Sequence, residues 1–351
     1  MKRPWLAPLV PLYAAGLALR NLRLRRGWER TRDLWYPVVS IGNLSVGGTG
    51  KTPFVIALAR LLMSRGFQVD VLSRGYGRES HEPVRVDPTG TAEQYGDEAL
   101  LIACEGAVPV YVASQRYDAG VLADRAFIKE GGQLSGDRVP LIHLLDDGFQ
   151  HRQLLREIDI VLLDRNDWTD HLLPAGNLRE TLNAAKRADV IAIPAGDSEL
   201  EQELVAWGWR GSLWRLHRCM NVPLIDGSVV AFCGIARPGQ FFAGLKAAGL
   251  ELANRTTFRD HHRYTIRDVE RLLATARSSG AKALVTTQKD AVRLAPMVSA
   301  FPAGLPLKIA DLKIEIENER ECLDWLEKKL AMTHLVRAHR KAIERSANSQ
   351  P

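Results

Sequence analysis

One glycine-rich segment of the chain has residue types that suit the binding of nucleotide phosphates. It consists of Ser45, Val46, Gly47, Gly48, Thr49, Gly50, Lys51 and Thr52. Glycines let backbone N–H groups turn toward phosphate oxygens, a lysine here can reach the β- and γ-phosphates, and the Thr52 hydroxyl suits Mg²⁺. The strict pattern of such loops has glycine at position 45, where this chain has serine. We predict nucleotide binding, with a purely structural glycine-rich turn as the alternative.

A second group of polar residues follows the apolar run that ends at position 145. Asp146 and Asp147 are adjacent there, and Gln150 and His151 lie just beyond them. A phosphate-binding loop needs a carboxylate from a neighbouring strand to hold Mg²⁺. Because side chains alternate across a strand, we expect one aspartate to serve the metal and the other to orient a ligand or a loop. A plain Asp-Asp-Gly turn is the alternative, and His151 is a site candidate or a structural residue.

Three further acidic or histidine positions lie outside the apolar runs. Asp97 precedes a helical stretch, so it is either an N-cap acceptor or a catalytic carboxylate, and its neighbour Glu98 competes for that role. Arg179 and Glu180 follow a loop and, by themselves, are typical of a surface pair. His261 lies in a polar junction before a helix, and spacing alone only allows a contact with Asp97.

The elements that must position these residues alternate between short apolar runs and helical stretches from Tyr36 to Cys219. The candidate strands are Pro37–Gly42, Gln68–Ser73, Val108–Ala113, Val139–Asp146, Ile158–Asp164 and Asp189–Pro194. This alternation is typical of a parallel sheet covered by helices on both faces. The pattern becomes irregular around Leu213–Ser228, and a second alternation begins at Val229.

The second alternation predicts a smaller α/β unit. Its expected parts are a helix from Pro238 to near Gly249, a helix capped at Thr265 that ends near Gly280, a strand at Ala283–Thr287 and an apolar run at Leu305–Ile316. We therefore predict four parts of the chain: an N-terminal segment at 1–32, a nucleotide-binding domain at 33–219, a smaller domain at 220–331, and a basic tail at 332–351 that frays from a helix end into disorder. The four cysteines are scattered, which argues against a disulfide framework and a zinc site.

The net charge of +6 is concentrated at the N-terminus. Residues 1–32 hold eight Lys or Arg residues and one acid, whereas the rest of the chain has 39 basic and 40 acidic residues. The uncharged stretch Pro4–Leu19 is shorter than the about 20 residues of a spanning helix, and Pro8 and Pro11 interrupt it. We favour a segment in the membrane interface with its arginines on anionic lipid, and a buried helix or a cleaved signal peptide are the alternatives. The neutral body lacks the extended basic patch of nucleic-acid-binding proteins.

Taken together, these segments resemble the tetraacyldisaccharide 4′-kinases, the lipid A 4′-kinases of Gram-negative bacteria. The matching segments run in the family's order and cover nearly the whole chain: Ser40–Pro53, Leu72–Arg78, Gly96–Glu98, Leu145–His151, Leu178–Glu180, Phe258–Tyr264 and Thr287–Asp290. The resemblance implies an α/β fold with a P-loop NTPase-like parallel sheet domain, a second, smaller α/β/α domain and an N-terminal membrane-associated helix. It also implies a nucleotide site in the cleft between the two domains.

The resemblance further implies a reaction, in which the γ-phosphoryl group of ATP passes to the 4′-hydroxyl of a tetraacylated glucosamine disaccharide 1-phosphate. Asp97 would take the hydroxyl proton, assisted by His261, whose protonated form would keep Asp97 ionised. The segment Ser45–Thr52, with Lys51, would bind ATP, and Thr52, Asp146 and Asp147 would serve Mg²⁺ and the transferring phosphate. The other implied site residues are Arg74, Tyr76, Gln150, His151, Arg179 and Glu180. The family usually has an acid where this chain has Gln288, so a charge role at that position is not implied.

The resemblance places such an enzyme at the cytoplasmic face of the inner membrane, as a monotopic or peripheral protein with a lipid substrate. We expect neither a nucleic-acid partner nor an obligate protein partner. One alternative is a membrane-associated ATPase of the partitioning or metallochaperone type, whose loop has an extra lysine where this chain has Val46. The other is an ATP-sensing interaction module, in which Asp97 and His261 would have no catalytic role.

Overall fold

The computed structural model describes residues 3–132 and 141–348, the last fifteen of these by their backbone alone. Within these ranges the helices are α1 (Val10–Arg25), α2 (Lys51–Ser64), α3 (Ala92–Tyr95), α4 (Asp97–Gly106), α5 (Arg116–Lys129), α6 (Arg165–Trp168), α7 (Ser198–Ala206), α8 (Pro238–Ala247), α9 (Ile266–Ser278), α10 (Gln288–Leu294) and α11 (Glu319–Asn348). Single 3₁₀ segments cover Pro4–Leu9, Leu182–Arg187 and Ala295–Ala300.

The strands of the described chain form one large sheet. They are β1 (Val38–Asn43), β2 (Gln68–Ser73), β3 (Val84–Arg85), β4 (Val110–Val112), β5 (Leu141–Asp146), β6 (Ile158–Leu162), β7 (Val190–Pro194), β8 (Ser212–Asn221), β9 (Val229–Cys233), β10 (Leu252–Thr257), β11 (Ala283–Thr287) and β12 (Leu307–Ile316). Their order across the sheet is β10-β9-β11-β12-β8-β7-β6-β1-β5-β2-β4-β3. Most neighbours are parallel, while β12 with β8 and β3 with β4 are antiparallel.

The centre of the sheet positions the glycine-rich segment. Strand β1 is buried along its whole length and lies between β5 and β6, parallel to both. A parallel strand that is covered on both faces has a continuous run of apolar residues, and such a run predicted β1 from the sequence. Because parallel strands end at the same edge, the segment after β1 and the acids after β5 meet there, with Ile41 opposite Asp146.

The sequence prediction was wrong at the stretch around Leu213–Ser228, which was expected to be irregular. It contains the ten-residue strand β8, whose first half pairs with β7 and whose second half pairs with β12. The outer half, with His217, Arg218 and Cys219, is exposed and polar. It therefore lacks the apolar run that marks a strand, and its pairing with β12 fixes its conformation instead.

Other boundaries follow the sequence more closely. Strands β2 and β11 have the predicted bounds, and the Thr265 side chain caps α9 as expected. The tail predicted to fray from residue 332 continues α11 to Asn348 instead, and residues 349–351 lie outside the described residues. The strand expected from Val139 begins at Leu141, and Val139 and Pro140 also lie outside them.

Separate hydrophobic clusters lie on the two halves of the sheet. The largest combines α2 and α4 with β1 and β5, and the fully buried Leu323, Leu326 and Leu330 of α11 join it. Two further clusters lie within residues 220–307 and 220–310, around α9 on one face of β9 and β11 and around α8 on the other. Helix α11 thus closes the core of the larger half, although it follows the smaller half in sequence.

The N-terminal segment forms the 3₁₀ turn Pro4–Leu9 and then α1, and neither element contains a buried residue. It is attached to the body by the Arg3 N–H, which donates to the Ala175 carbonyl over 2.7 Å, and by the Tyr13 hydroxyl, which donates to the Arg179 carbonyl over 3.0 Å. Among the described residues, no helix has both the length and the apolar character that crossing a bilayer requires.

Candidate active site

The glycine-rich segment follows β1 and ends where α2 begins at Lys51. Gly50 has a φ of +89°, in the left-handed region, so a side chain there would strain the turn that starts the helix. The Lys51 Nζ donates to the Asn43 Oδ1 over 3.0 Å and lies 3.4 Å from the Asp147 Oδ1. The Asn43 amide also donates to the Ser45 carbonyl over 2.9 Å. Asn43, which the sequence did not single out, therefore links Lys51 to the start of the loop.

Neighbouring segments hold the loop from both sides. The Val46 N–H donates to the Asn177 carbonyl over 2.8 Å, and the Arg179 N–H donates to the Leu44 carbonyl over 2.7 Å. The Arg218 guanidinium donates to the Thr49 carbonyl over 2.7 Å. Ser45, the departure from the strict pattern, is buried and bridges to the strand-like stretch at Leu178. The serine is thus part of a packed contact with the loop that carries Arg179.

Asp146 and Asp147 have different partners, as their adjacent positions led us to expect. Asp146 is buried at the end of β5, where its Oδ2 accepts from the Ser73 hydroxyl over 3.1 Å. Burial, then the charges of Glu98 and Asp147, raise the pKa of Asp146 to about 7. Burial also acts on Asp147, but the charges of Lys51, Arg179 and Arg116 outweigh it and lower its pKa. Two adjacent carboxylates therefore differ in their affinity for protons.

Arg179 joins the residues after β5 to the loop. Its Nη1 donates to Asp147 over 2.8 and 3.0 Å and to the Gln150 Oε1 over 3.3 Å. The Gln150 amide donates to the Asn43 carbonyl over 2.7 Å. The structure therefore brings Lys51, Asp147, Gln150 and Arg179 into one cluster.

The remaining residues predicted near this cluster are less directly connected. Burial, then the charges of Arg116, Arg156, Arg20 and Arg74, lower the pKa of His151 to about 4, which keeps its imidazole neutral at ordinary pH. Glu180 is buried and pairs with Arg187 over 3.0 Å rather than with the cluster. Arg74 is exposed. Thr52, in the first turn of α2, is half-buried.

Asp97 and His261, from opposite halves of the sheet, are in contact. The His261 Nδ1 lies 2.9 Å from the Asp97 Oδ2 and 3.2 Å from Oδ1. Asp97 is the first residue of α4 and only 4% exposed. Burial raises its pKa, but the hydrogen bond from His261 and the charges of Lys289, His261 and Arg293 outweigh burial, so the pKa lies below its usual value. Asp97 is therefore an ionised carboxylate.

Two glycines allow the backbone to bring Tyr76 to this pair. Gly96 has a φ of +86°, and a Cβ atom there would lie 2.8 Å from the Gly75 backbone carbon. Only glycine at 96 lets the turn before α4 pack on the loop after β2. The Tyr76 ring lies 5.1 Å from the His261 ring between centroids, and its side chain is otherwise largely exposed.

Helix α10 contributes two basic residues that the sequence reasoning missed. The Lys289 Nζ lies 2.9 Å from the Glu98 Oε1 and 3.1 Å from the His261 Nε2. The Arg293 Nε lies 3.2 Å from the Asp97 Oδ2. Both follow the carboxyl end of β11, and this position after a strand end is the signal that could have identified them. Because the charge of Glu98 reaches Asp146, the Asp97 group and the Lys51 cluster border one another.

Arg116 is a third basic residue that the sequence reasoning missed. It begins α5 just after β4 and is 9% exposed, and its Nε is buried without a hydrogen-bond partner among the described residues. Burial lowers the pKa of Arg116, while the charges of Asp147 and Asp146 oppose that shift. A buried guanidinium that is influenced by both aspartates suits a phosphate oxygen.

A second cross-contact between the halves of the sheet lies at the other end of the loop. Arg237, just before α8, pairs with Asp164, and its Nη2 lies 3.7 Å from the Asp167 Oδ1. Burial, then the charge of Asp164, raise the pKa of Asp167 to about 6. These acids follow β6, and we predicted no role for them from their positions in the sequence.

Asp146 and Asp147 suit a magnesium ion that is also bound by substrate phosphates, rather than a metal ion held by protein ligands alone. Within the part of the chain that the structure describes, no group of three or more His, Cys, Asp and Glu residues could hold a metal ion. Mg²⁺ usually binds through one or two carboxylates together with substrate phosphates. The Asp146 Oδ1 is buried without a hydrogen-bond partner among the described residues, so it is an oxygen available to such an ion.

Known proteins resemble this chain over nearly its whole length. A family model described as tetraacyldisaccharide-1-P 4′-kinase matches residues 2–331. The tetraacyldisaccharide 4′-kinase of Koribacter versatilis is 42% identical over 90% of this chain and 96% of its own length. That of Geobacter metallireducens is 38% identical over 88% and 94%. The crystal structure of LpxK from Aquifex aeolicus in complex with ATP superposes with a TM-score of 0.69 and 30% identity, covering 93% of this chain and 98% of that one. This chain therefore belongs to the tetraacyldisaccharide-1-P 4′-kinase family.

Proposed function

We propose that this chain transfers the γ-phosphoryl group of ATP to the 4′-hydroxyl of a tetraacylated glucosamine disaccharide 1-phosphate. The observation that carries the proposal is the contact between Asp97 and His261 beside a phosphate-binding loop, in a member of this kinase family. An ionised, buried carboxylate next to such a loop is the arrangement that a hydroxyl acceptor needs. Neither the partitioning-type ATPase nor the ATP-sensing module has a hydroxyl acceptor whose proton this pair would take.

In this proposal, the backbone of Ser45–Thr52 and the Lys51 ammonium bind the ATP phosphates. Lys51 lies at the first turn of α2, so the helix N-terminus and the lysine act on the same phosphates. Arg116 adds a guanidinium to the transferred group. Phosphoryl transfer leaves little covalent work to a protein, so positioning and charge stabilisation by these residues provide most of the acceleration.

Asp146, Asp147 and Thr52 are the residues that would hold Mg²⁺ together with the phosphates. Bound there, the ion would supply positive charge that offsets the negative charge developing on the transferring phosphate. The unpartnered Asp146 Oδ1 supports this assignment. Asp147 is held by Lys51 and Arg179, so it also fixes the lysine against the loop.

Asp97 would accept the proton of the 4′-hydroxyl as the hydroxyl oxygen bonds to the γ-phosphorus. The bond from that phosphorus to the β–γ bridging oxygen breaks, and ADP leaves with both electrons of that bond. His261 would steady Asp97 through its 2.9 Å hydrogen bond. Arg74 and Tyr76, in the loop after β2, would lie on the acceptor side. The residues that would border the phosphates and the N-terminal segment are Gln150, His151, Arg179 and Glu180.

We further propose that residues 33–219 and 220–331 act as two functional units, with residues 332–351 as a basic tail. The hydrophobic clusters confined to residues 220–310 support the smaller unit. Residues 1–32 would lie in the membrane interface at the cytoplasmic face of the inner membrane, where the lipid acceptor is presented. Support for this comes from α1, which has no buried residue and is bound to the Arg179 backbone through Tyr13.

The test is transfer of labelled γ-phosphate from ATP to a tetraacyl disaccharide 1-phosphate in detergent micelles. Lys51→Ala serves as the inactive variant, because it removes the cation that contacts the loop. Lys313→Ala is its matched control, since Lys313 is half-exposed and pairs only weakly with Asp311 at 3.6 Å. Label in the lipid with the wild type and Lys313→Ala, and a large loss with Lys51→Ala, supports the kinase.

Other outcomes identify the rival functions. ATP hydrolysis that leaves the lipid unlabelled would favour the membrane-associated ATPase. ATP binding with neither hydrolysis nor labelling would favour the interaction module. Equal kinetics for Lys51→Ala and the wild type would contradict the role of the loop.

A further inference from the structure

Lys289 contacts the edge of His261 that points away from Asp97. Its Nζ lies 3.1 Å from the His261 Nε2 and 2.9 Å from the Glu98 Oε1. On the other side of the ring, Nδ1 lies 2.9 Å from the Asp97 Oδ2. The Lys289 side chain is only 19% exposed, so it is packed among these groups rather than extended into solvent. Both ring nitrogens of His261 thus have a defined partner.

The chemistry of these partners determines which nitrogen of the ring carries a proton. An ammonium group has donors only, so Lys289 can hydrogen-bond to Nε2 only when that nitrogen is unprotonated. The neutral ring then has its proton on Nδ1, where it can be donated to Asp97. A doubly protonated ring would instead hold two cations 3.1 Å apart with their N–H groups opposed.

The other charged groups around the ring agree with this reading. The Asp260 Oδ1 lies 3.9 Å from Nε2, farther than the lysine, and is itself 3.7 Å from the Lys289 Nζ. Asp97 and Glu98 approach from α4, Arg293 approaches Asp97 from α10, and the Tyr76 ring packs on one side. Burial lowers the pKa of Lys289, but the charges of Glu98, Asp97 and Asp260 outweigh it and raise the pKa. Lys289 therefore remains a cation.

We propose that Lys289 is a positioning residue that holds His261 in the neutral Nδ1–H tautomer, so that the ring donates a hydrogen bond to the Asp97 carboxylate. The proposal rests on the proposed function, because it gives a role to the pair that would receive the acceptor's proton. A neutral ring orients the carboxylate, and it leaves the carboxylate a stronger base than an imidazolium would. This replaces the expectation that a protonated His261 keeps Asp97 ionised. Arg293 and Lys289 supply the positive charge instead.

The tautomer can be measured without any assay of activity. The full chain is labelled with ¹⁵N at histidine, and long-range ¹H–¹⁵N spectra distinguish Nδ1–H, Nε2–H and doubly protonated rings. His261→Gln identifies the signals of residue 261 among the nine histidines. We expect Nδ1–H in the wild type and in Lys289→Arg, which keeps a cation with donors only. In Lys289→Met the Nδ1–H stays on Asp97 while Nε2 loses the ammonium donor, so we expect a doubly protonated ring or a mixture of it with Nδ1–H. The control Lys313→Met should keep the wild-type state of the ring.

Kinetics separate this role from a purely structural one. Lys289→Met should lower kcat by roughly 10- to 100-fold with little change in KM for ATP, as expected when an orienting hydrogen bond is lost. The variant should also gain a dependence of kcat on pH between about 5 and 8, because its ring becomes free to take a second proton. Lys289→Arg should recover most of the activity.

Two outcomes would overturn the proposal. One is a wild-type His261 ring that is doubly protonated or carries its proton on Nε2. The other is a ring of Lys289→Met in the same protonation state as that of the wild type. If Lys289→Met does not fold, the double variant Lys289→Met/Glu98→Gln removes both charges of the ion pair and takes its place. Absence of lipid labelling by the wild type would contradict the proposed function alone, since the spectra still report the tautomer.

Discussion

Asp97 is a buried carboxylate that stays charged because of the groups that surround it. An isolated carboxyl group at 4% exposure would be expected to take up a proton. Here the hydrogen bond from His261 and the positive charges of Lys289 and Arg293 outweigh the effect of burial and lower the pKa. Since the pKa lies below the usual value for an aspartate, Asp97 is an ionised carboxylate that can accept a proton at neutral pH.

The change Asp97→Asn tests this residue directly. The amide cannot accept the hydroxyl proton, so we expect kcat to fall by about 10² to 10⁴-fold. The affinity for ATP should change little, because Asp97 lies beside His261 rather than in the loop. Both quantities come from initial rates of lipid labelling at varied ATP concentration.

The matched control for this variant is Asp118→Asn. Asp118 lies on α5, is 42% exposed and approaches Arg32 at 3.7 Å, so its loss should leave the kinetics unchanged. A turnover of Asp97→Asn close to that of the wild type would exclude Asp97 as the base. A large rise in KM for ATP at normal kcat would instead assign it to nucleotide binding.

The sequence identified site residues where a local pattern marks them. Lys51 begins the helix after the glycine-rich loop and Asp146 ends β5, both within recognisable motifs, and the parallel pairing of β1 with β5 brings the two segments together. Asp97 and His261 are 164 residues apart in the sequence, so no local pattern predicts their contact, and only the family resemblance pointed to it. Arg116 begins a helix that carries no motif of its own, and Lys289 lies in the matching segment Thr287–Asp290, which by itself indicates no partner for the lysine. Their roles depend on which strands are neighbours, and composition and spacing do not contain that information.

At the scale of elements, a buried charged triad connects β2, β5 and α5. The His143 Nδ1 lies 2.6 Å from the Asp70 Oδ1, and Nε2 lies 2.9 Å from the Asp124 Oδ1. Only an imidazolium has two donors for two carboxylates. Burial lowers the pKa of His143, but the charges and hydrogen bonds of Asp70 and Asp124 outweigh it and raise it to about 10. The partners Asp70 and Asp124 come from elements distant in sequence, so spacing along the chain does not indicate them.

We predict that His143→Gln lowers the free energy of unfolding by about 3–5 kcal/mol at pH 7, because it leaves two carboxylates buried without a cation. The pKa of His143 is raised on folding, so its contribution is complete below about pH 6.5 and is lost as pH rises through about 10. The difference between wild type and variant should therefore shrink by up to about 1.4 kcal/mol per pH unit in that window.

Urea unfolding at pH 7, 8, 9 and 10 measures this difference. His217→Gln is the control, because His217 is 53% exposed and meets only Glu317 at 3.3 Å. Its stability should follow that of the wild type at every pH. A destabilisation by His143→Gln that is the same at pH 7 and pH 10 would show that the ring is neutral in the folded protein.

At the scale of the whole molecule, β8 and β12 join the two halves into one sheet. β8 pairs with β7 of the larger half and with β12, while β12 pairs with β8 and with β11 of the smaller half. The sequence predicted two α/β units because each has its own alternation of apolar runs. It missed the connection because the outer half of β8 is polar and exposed. The contacts of Asp97 and Arg237 across the halves depend on this connection.

The N-terminal segment exposes large apolar side chains to solvent. Trp5, Leu9 and Leu12 are 75%, 50% and 74% exposed, although they are large apolar side chains. Tyr13 and Asn21 of α1 are instead bonded to Arg179 and Arg152 of the body. One group of side chains thus holds the helix against the residues that border the site, while another faces outward.

We therefore predict that Trp5→Ser/Leu9→Ser/Leu12→Ser weakens binding to anionic vesicles while the fold and the site are preserved. Each exposed apolar side chain contributes on the order of 1 kcal/mol when it enters a bilayer, so the triple variant should bind roughly 100-fold more weakly. Co-sedimentation with vesicles measures this binding, and lipid labelling in micelles checks that the site still works.

Deletion of residues 1–32 should release the protein as well, but it also removes the contacts with Arg152 and Arg179, so the triple variant is the more specific test. Leu224→Ser is the control, because Leu224 is fully exposed on the distant half, and its vesicle binding should match the wild type. If the triple variant stays on vesicles as firmly as the wild type, another surface of the molecule attaches it to the lipid.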